Sequence, residues 1–227
     1  MTDNTGASTE VASAGRSIAN NFEYHKALGI ESGQSMSQMA MTFQNAALLV
    51  VDVQKGLEAP QLGPRNNPDA ESNMGRLIEV WRASDRPIIH IQHCSVEPDS
   101  PLRPELPGCA FKDVAMPQAN EPIFQKTVNS AFIGTGLEAY LRSRSLDTLV
   151  VVGLTTNHCV STTVRMAGNL GFTTFVVADA TAAFDRVGPD GTVYKAAQVH
   201  DISLASLHGE FATVVTTETL LTSATAV

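Results

Sequence analysis

The chain has 227 residues, 43% of them hydrophobic, and a formal net charge of −8, which is enough apolar content for one α/β domain with a full core. The acidic balance, without a run of lysine or arginine, argues against nucleic-acid backbones and membrane surfaces as partners. Cys94, Cys109 and Cys159 form no spaced framework, so a reducing, cytoplasmic setting is expected, and no apolar run reaches the roughly 20 residues of a membrane span.

Residues 1–16 are rich in Ser, Thr, Ala, Asn and Gly without periodicity and are expected to form a flexible tail. Over 17–45, apolar residues such as Ile18, Phe22, Leu28, Met36 and Met39 recur at partly helical spacing, which predicts an N-terminal arm packed on the domain or on a neighbouring subunit. From residue 46 to 227 strands and helices alternate, the pattern of a parallel sheet covered on both faces. The expected order begins with a strand over 46–53, a helix over 68–84 with Asn67 as cap and Pro68 at its first position, and a strand over 87–92. A long Pro-rich loop over 93–121 then shapes an active-site mouth. A strand over 122–126, a helix over 135–144, a strand over 148–153, a helix over 157–170 and a strand over 173–178 follow. A turn-rich loop over 185–195, which borders the pocket, leads to a helix over 196–208, a strand over 211–216 and a short helix from 218. That makes six strands.

In such a sheet, ligands bind beyond the carboxyl ends of the strands. Asp52 ends the first strand, Lys126 ends the third, and Cys159 lies just past the fourth. The run Val150-Val151-Val152-Gly153 gives way there to Leu154-Thr155-Thr156-Asn157-His158-Cys159, which places the thiol at a strand-to-helix switch. A helix N-terminus is expected to lower the thiol pKa below about 8.5 and to offer backbone N–H groups to an oxyanion. Each residue alone also has a plain structural role open to it: Asp52 as a loop cap, Lys126 as an edge lysine, Cys159 as a core thiol. Their common placement is harder to assign to structure. A dinucleotide enzyme is disfavoured because Gln54-Lys55-Gly56-Leu57-Glu58 stands where G-x-G-x-x-G would follow the first strand, and no C-x-x-C accompanies Cys159.

The stretches Leu48 to Gln54, Gln125 to Phe132 and Gly153 to Val160 resemble the three signature blocks of the isochorismatase-like cysteine hydrolases, and the likeness runs over about residues 46–221. The resemblance implies a Rossmann-like three-layer α/β/α sandwich on the six-stranded parallel sheet. It implies a catalytic triad of Asp52, Lys126 and Cys159, with a non-proline cis peptide between Leu154 and Thr155 at the oxyanion hole. In that chemistry Asp52 is the base, Lys126 holds the charges, and Cys159 attacks a carbonyl to give a thioester. The cysteine points to the amidohydrolase branch, hence to a small amide or ureido substrate. Vinyl-ether hydrolysis of the isochorismatase type, which needs no cysteine nucleophile, and a non-catalytic or thiol-sensing role are the alternatives. Family members assemble as dimers or tetramers, and a homodimer or homotetramer is expected.

Nicotinamidase-like members build a metal site from an Asp and histidines after the first strand. No histidine stands between Gln54 and Arg86, so no catalytic metal and no cofactor are expected. His90 reads as a core histidine, while His93, at a strand end, either anchors the loop or faces the crevice. Gln54, Asn129 and Phe132 are candidate substrate contacts, although Gln54 is equally suited to fixing the loop, Asn129 to bracing the site and Phe132 to the core. Phe111 walls the pocket or joins the core. Adjacent residues in a helix point about 100° apart, so His158 is poorly placed to take the Cys159 proton.

Overall fold

Unbroken runs of Val, Leu and Ile make the centre of the sheet in a computed structural model that describes Phe43 and residues 45–225. The expected tail over 1–16 and nearly all of the arm over 17–45 fall outside the described residues. The elements are β1 (Ala47–Val51), α1 (Ala70–Ala83), β2 (Ile88–His93), β3 (Ile123–Lys126), α2 (Leu137–Ser143) and β4 (Thr148–Leu154). A single π-helical turn, Thr156–Val160, leads into α3 (Ser161–Asn169). Then come β5 (Thr173–Ala182), β6 (Arg186–Val187), β7 (Val193–Tyr194), α4 (Ala196–Ala205), β8 (Thr213–Val215) and α5 (Thr217–Thr225).

Six strands form one sheet in the order β3-β2-β1-β4-β5-β8, with every pair parallel. Because a strand turns alternate side chains to opposite faces, the residues of β1 divide between two cores. Leu48 and Val50 pack with Val150, Val152 and the α1 side chains Met74, Leu77 and Trp81. Leu49 and Val51 pack on the other face with Val151, Leu137 and Leu141 of α2, and Val164 of α3. Covering both faces is what lets β1 and β4 be apolar without alternation, and it makes the three-layer α/β/α sandwich. The Trp81 indole N–H, in the first core, donates to the Ala46 carbonyl at 2.9 Å.

The chain adds β2 and β3 on one side of β1, then crosses back to place β4, β5 and β8 on the other. The strand order therefore reverses between β1 and β4, and a crevice opens there beyond their carboxyl ends. At that reversal the two backbones approach closely: a Cβ on Gly153 would lie 2.0 Å from the Val51 carbonyl oxygen. With φ at 125°, the position suits glycine alone.

Four local expectations need correction. Asn67 is not the cap of α1, which starts at Ala70 with Asp69 before it, so Pro68 also lies outside the helix. The Asn67 amide instead donates to the carbonyls of Ala178 and Thr181 and ties this loop to β5. β5 continues past residue 178 to Ala182, because a register shift between Val151 and Gly153 lets it resume pairing with β4. The helix expected from residue 157 opens as a π turn and becomes α-helical only at Ser161. The loop over 185–195 carries the antiparallel ribbon β6–β7. Among the described residues, no helix is long and apolar enough to cross a membrane.

Candidate active site

At the strand-order reversal a cavity of about 220 Å³ is lined by Asp52, His93, Asn129, Leu154, Thr155, His158 and Cys159. An apolar wall of Leu57, Leu62, Pro101, Leu102 and Phe184, with Ser100 and Arg186 at its polar side, completes it. Asp52 leaves the end of β1 in a left-handed backbone conformation with φ at 53°. Its side chain is 1% exposed, and that of Lys126, at the end of β3, is 0% exposed. The Lys126 ammonium donates to Asp52 Oδ2 at 2.7 Å and to His93 Nδ1 at 2.9 Å. Because an ammonium has no acceptor, His93 Nδ1 must be the unprotonated ring nitrogen. Asp52 Oδ1 is buried and has no hydrogen-bond partner among the described residues.

Cys159 enters from the π turn. Its Sγ lies 3.7 Å from Asn129 Oδ1 and 3.9 Å from His93 Nδ1. A carboxylate oxygen of Asp52, a ring nitrogen of His93 and the sulfur all lie within 4.8 Å of one another. The peptide between Leu154 and Thr155 is cis. The structure thus gathers Asp52, Lys126, Cys159, Leu154, Thr155 and Asn129 in one place.

The electrostatics differ from the expectation of an acidified thiol. Burial, then the neighbouring Asp52 carboxylate, push Cys159 up to about 12, against the pull of Lys126. The thiol is largely enclosed, faces a carboxylate and sits in a π turn rather than in the first turn of a regular helix. Burial also raises the Asp52 carboxyl above its usual value, with Lys126 pulling the other way. Burial first, and Lys126 second, lower His93, which is therefore a neutral imidazole at neutral pH. The resting site holds a protonated thiol beside a carboxylate that has one open oxygen.

Other candidates fall elsewhere. Gln54 is fully buried; its amide nitrogen donates to the carbonyls of His93 and Cys109, and its oxygen accepts from the His93 N–H. Of its two possible roles, this is the loop-fixing one. Phe132 stacks on Phe172 with ring centres 5.7 Å apart, in the core shared with α2 and α3, and does not line the cavity. Phe111 packs edge-on against the fully buried His90, whose Nε2 meets Glu121 at 2.8 Å. His158 lines the cavity but turns its Nδ1 to Arg186 at 3.3 Å.

Two contributors were not legible as site residues. His93 was open between two roles; its 33-residue separation from Lys126 hides the contact that decides. His200 of α4 bonds the Thr156 hydroxyl at 2.8 Å and so braces the π turn that carries Cys159. Asp52, His93 and Cys159 together resemble a metal-binding group, but the Lys126 ammonium already bridges Asp52 Oδ2 and His93 Nδ1. A second cation there would meet a full positive charge at contact distance.

The isochorismatase domain model matches residues 46–219. YrdC, an isochorismatase-family protein of Bacillus subtilis, is 49% identical over 178 residues, covering 78% of this chain and 95% of that protein. A solved structure from Chromobacterium violaceum, assigned to the isochorismatase family of hydrolases, superposes with a TM-score of 0.78 at 43% identity, covering 81% of this chain and 95% of that one. The ureidoacrylate amidohydrolase RutB of Agrobacterium fabrum is 35% identical over a shorter span, 40% of this chain and 45% of that protein.

Proposed function

The chain belongs to the isochorismatase family of hydrolases, and from that premise we propose that it cleaves a C–N bond of a small amide or ureido compound through a thioester on Cys159. The observation that carries this reading is the protonated Cys159 thiol within 4.8 Å of the Asp52 carboxylate. A family member working on a vinyl ether has no use for that thiol, whereas acyl transfer needs both a nucleophile and a base beside it. The likeness to an amidohydrolase over part of the chain supports the same branch.

Asp52 takes the S–H proton as sulfur attacks the carbonyl carbon; its raised pKa suits it to accept that proton. Lys126 stays against Oδ2 and prevents Asp52 from holding the proton too tightly. Negative charge that develops on the carbonyl oxygen is received by the backbone N–H groups of Thr155 and Cys159, two residues that line the cavity. The C–N bond then breaks, Asp52 returns its proton to the nitrogen, and ammonia or an amine leaves. Asp52 next deprotonates a water that attacks the thioester, the sulfur leaves and regains its proton, and an acid is released. The neutral His93 holds Lys126 in register without adding charge.

Ammonia release across a panel of small amides and ureido compounds, with Cys159→Ala run in parallel, tests the proposal. Turnover abolished in the variant is expected. Turnover that survives in the variant, or cleavage of a vinyl ether without ammonia, overturns it.

A further inference from the structure

The cavity contains one cation that nothing among the described residues neutralises. Arg186 lies on the short strand β6, paired in register with Tyr194 of β7, and the ribbon delivers its side chain to the wall of the cavity that holds Cys159. Its Nε is buried without a hydrogen-bond partner among the described residues, and its contact at the other end of the guanidinium is the ring nitrogen of His158 at 3.3 Å. The acids near it in sequence are committed elsewhere. Asp185 accepts from Lys195 Nζ at 3.0 Å and from the Ala196 N–H at 2.7 Å, and Asp190 accepts from Thr192.

The charges in the cavity give the sign of its ligand. Asp52 and Lys126 form a pair and cancel. Burial holds the Cys159 thiol protonated, and it lowers both His93 and His158, so neither imidazole is cationic at neutral pH. A guanidinium keeps its charge in proteins. What remains facing the substrate is one positive charge beside an apolar wall of Leu57, Leu62, Leu102 and Phe184. A half-buried guanidinium without a counter-charge is costly, and the cost is offset when an anion binds against it.

We propose that Arg186 receives a carboxylate of the substrate, so that the site selects small amides or ureido compounds that carry a negative charge on the side opposite the scissile carbonyl. The substrate part of this inference rests on the amidohydrolase reading above; the anion-binding part does not. The cavity, at about 220 Å³, takes a compact ligand, which favours short monoamides of dicarboxylic acids and carbamoyl derivatives of small amino acids over larger amides. Arg186 acts here as a specificity residue, with no part in the proton transfers at sulfur.

Two measurements test this separately from the chemistry. The first compares alkylation of Cys159 by iodoacetate and by iodoacetamide, read by peptide mass spectrometry on the full chain. Both reagents form the same S–CH₂ bond and expel iodide, but only iodoacetate carries a carboxylate. The iodoacetate-to-iodoacetamide rate ratio is expected to fall about tenfold or more in Arg186→Gln and to be largely kept in Arg186→Lys. An unchanged ratio in folded Arg186→Gln overturns the proposal, whether or not the protein hydrolyses amides. The second compares kcat/KM for succinamate and for its methyl ester. A preference for the acid that collapses in Arg186→Gln is expected; a wild-type preference for the ester overturns the assignment. Hydrolysis of neither compound, together with an Arg186-dependent alkylation ratio, would leave anion binding standing and count against the amidohydrolase reading.

Discussion

Replacing Lys126 by methionine keeps much of its volume and removes its charge, leaving Asp52 buried beside an apolar chain. At the observed 2.7 Å, with an effective dielectric of about 20, the lost attraction is about 6 kcal/mol. Much of that is already consumed by desolvating the two charges, so the pair itself adds little net stability. The cost of removing one partner is larger, about 3–5 kcal/mol, because the other is stranded. Against a total stability of about 5–15 kcal/mol, this is a deficit urea titration resolves easily. The variant Asp52→Asn/Lys126→Met removes the stranded charge as well, so its deficit should fall short of the sum of the two single variants by about 2 kcal/mol or more. The sign with pH follows. Asp52 without Lys126 has a folded pKa raised far above its unfolded value, so the Lys126→Met protein is relatively more stable at acid pH and loses ground as pH rises. Single-variant deficits that add within about 0.5 kcal/mol, or a Lys126→Met deficit that does not grow with pH, would refute the view of Asp52 and Lys126 as one buried ionic unit.

Gly153→Ala places a Cβ 2.0 Å from the Val51 carbonyl oxygen at a φ of 125°, and should lower the melting temperature by about 10 °C or more or prevent folding; a near-native melting curve would contradict the close approach of β1 and β4. His90, His93, His158 and His200 all have pKa values lowered chiefly by burial. The unfolded chain therefore binds protons that the folded chain refuses: stability from these groups is complete above about pH 6.5 and is lost as pH falls below it. Asp52, whose pKa is raised, acts in the opposite direction but is one group against four. The urea midpoint should be lower at pH 5.5 than at pH 7.5. Thorough chelation should leave hydrolysis intact, because Lys126 occupies the place of a cation between Asp52 and His93; complete loss, restored by one metal, would overturn that expectation.

What the sequence made legible follows the range of the interactions involved. Val50 and Val150 announce buried parallel strands by their neighbours alone, and the placement of Asp52, Lys126 and Cys159 at strand ends follows from counting elements. Asn67 looked like a helix cap because that role is local, while its true partners, Ala178 and Thr181, are more than a hundred residues away. Gln54 and Phe132 were ambiguous for the same reason: His93, Cys109 and Phe172 decide where they point, and only the folded chain brings these together. The thiol pKa went the other way from expectation because burial and the Asp52 charge are tertiary effects, while the helix dipole can be read from local pattern. Arg186 sits in a stretch that reads as a polar surface turn, and the β6–β7 ribbon that turns it inward leaves no strong pattern in two-residue strands.

The most direct test of the central claim is the turnover of Cys159→Ala, in folded protein, on the best amide found for the wild type. The account predicts a loss of at least about a thousandfold with substrate binding retained, since the variant removes the attacking atom and leaves the cavity, Asp52 and Lys126 in place. Turnover within a few fold of the wild type would show that the thiol beside Asp52 is not the nucleophile.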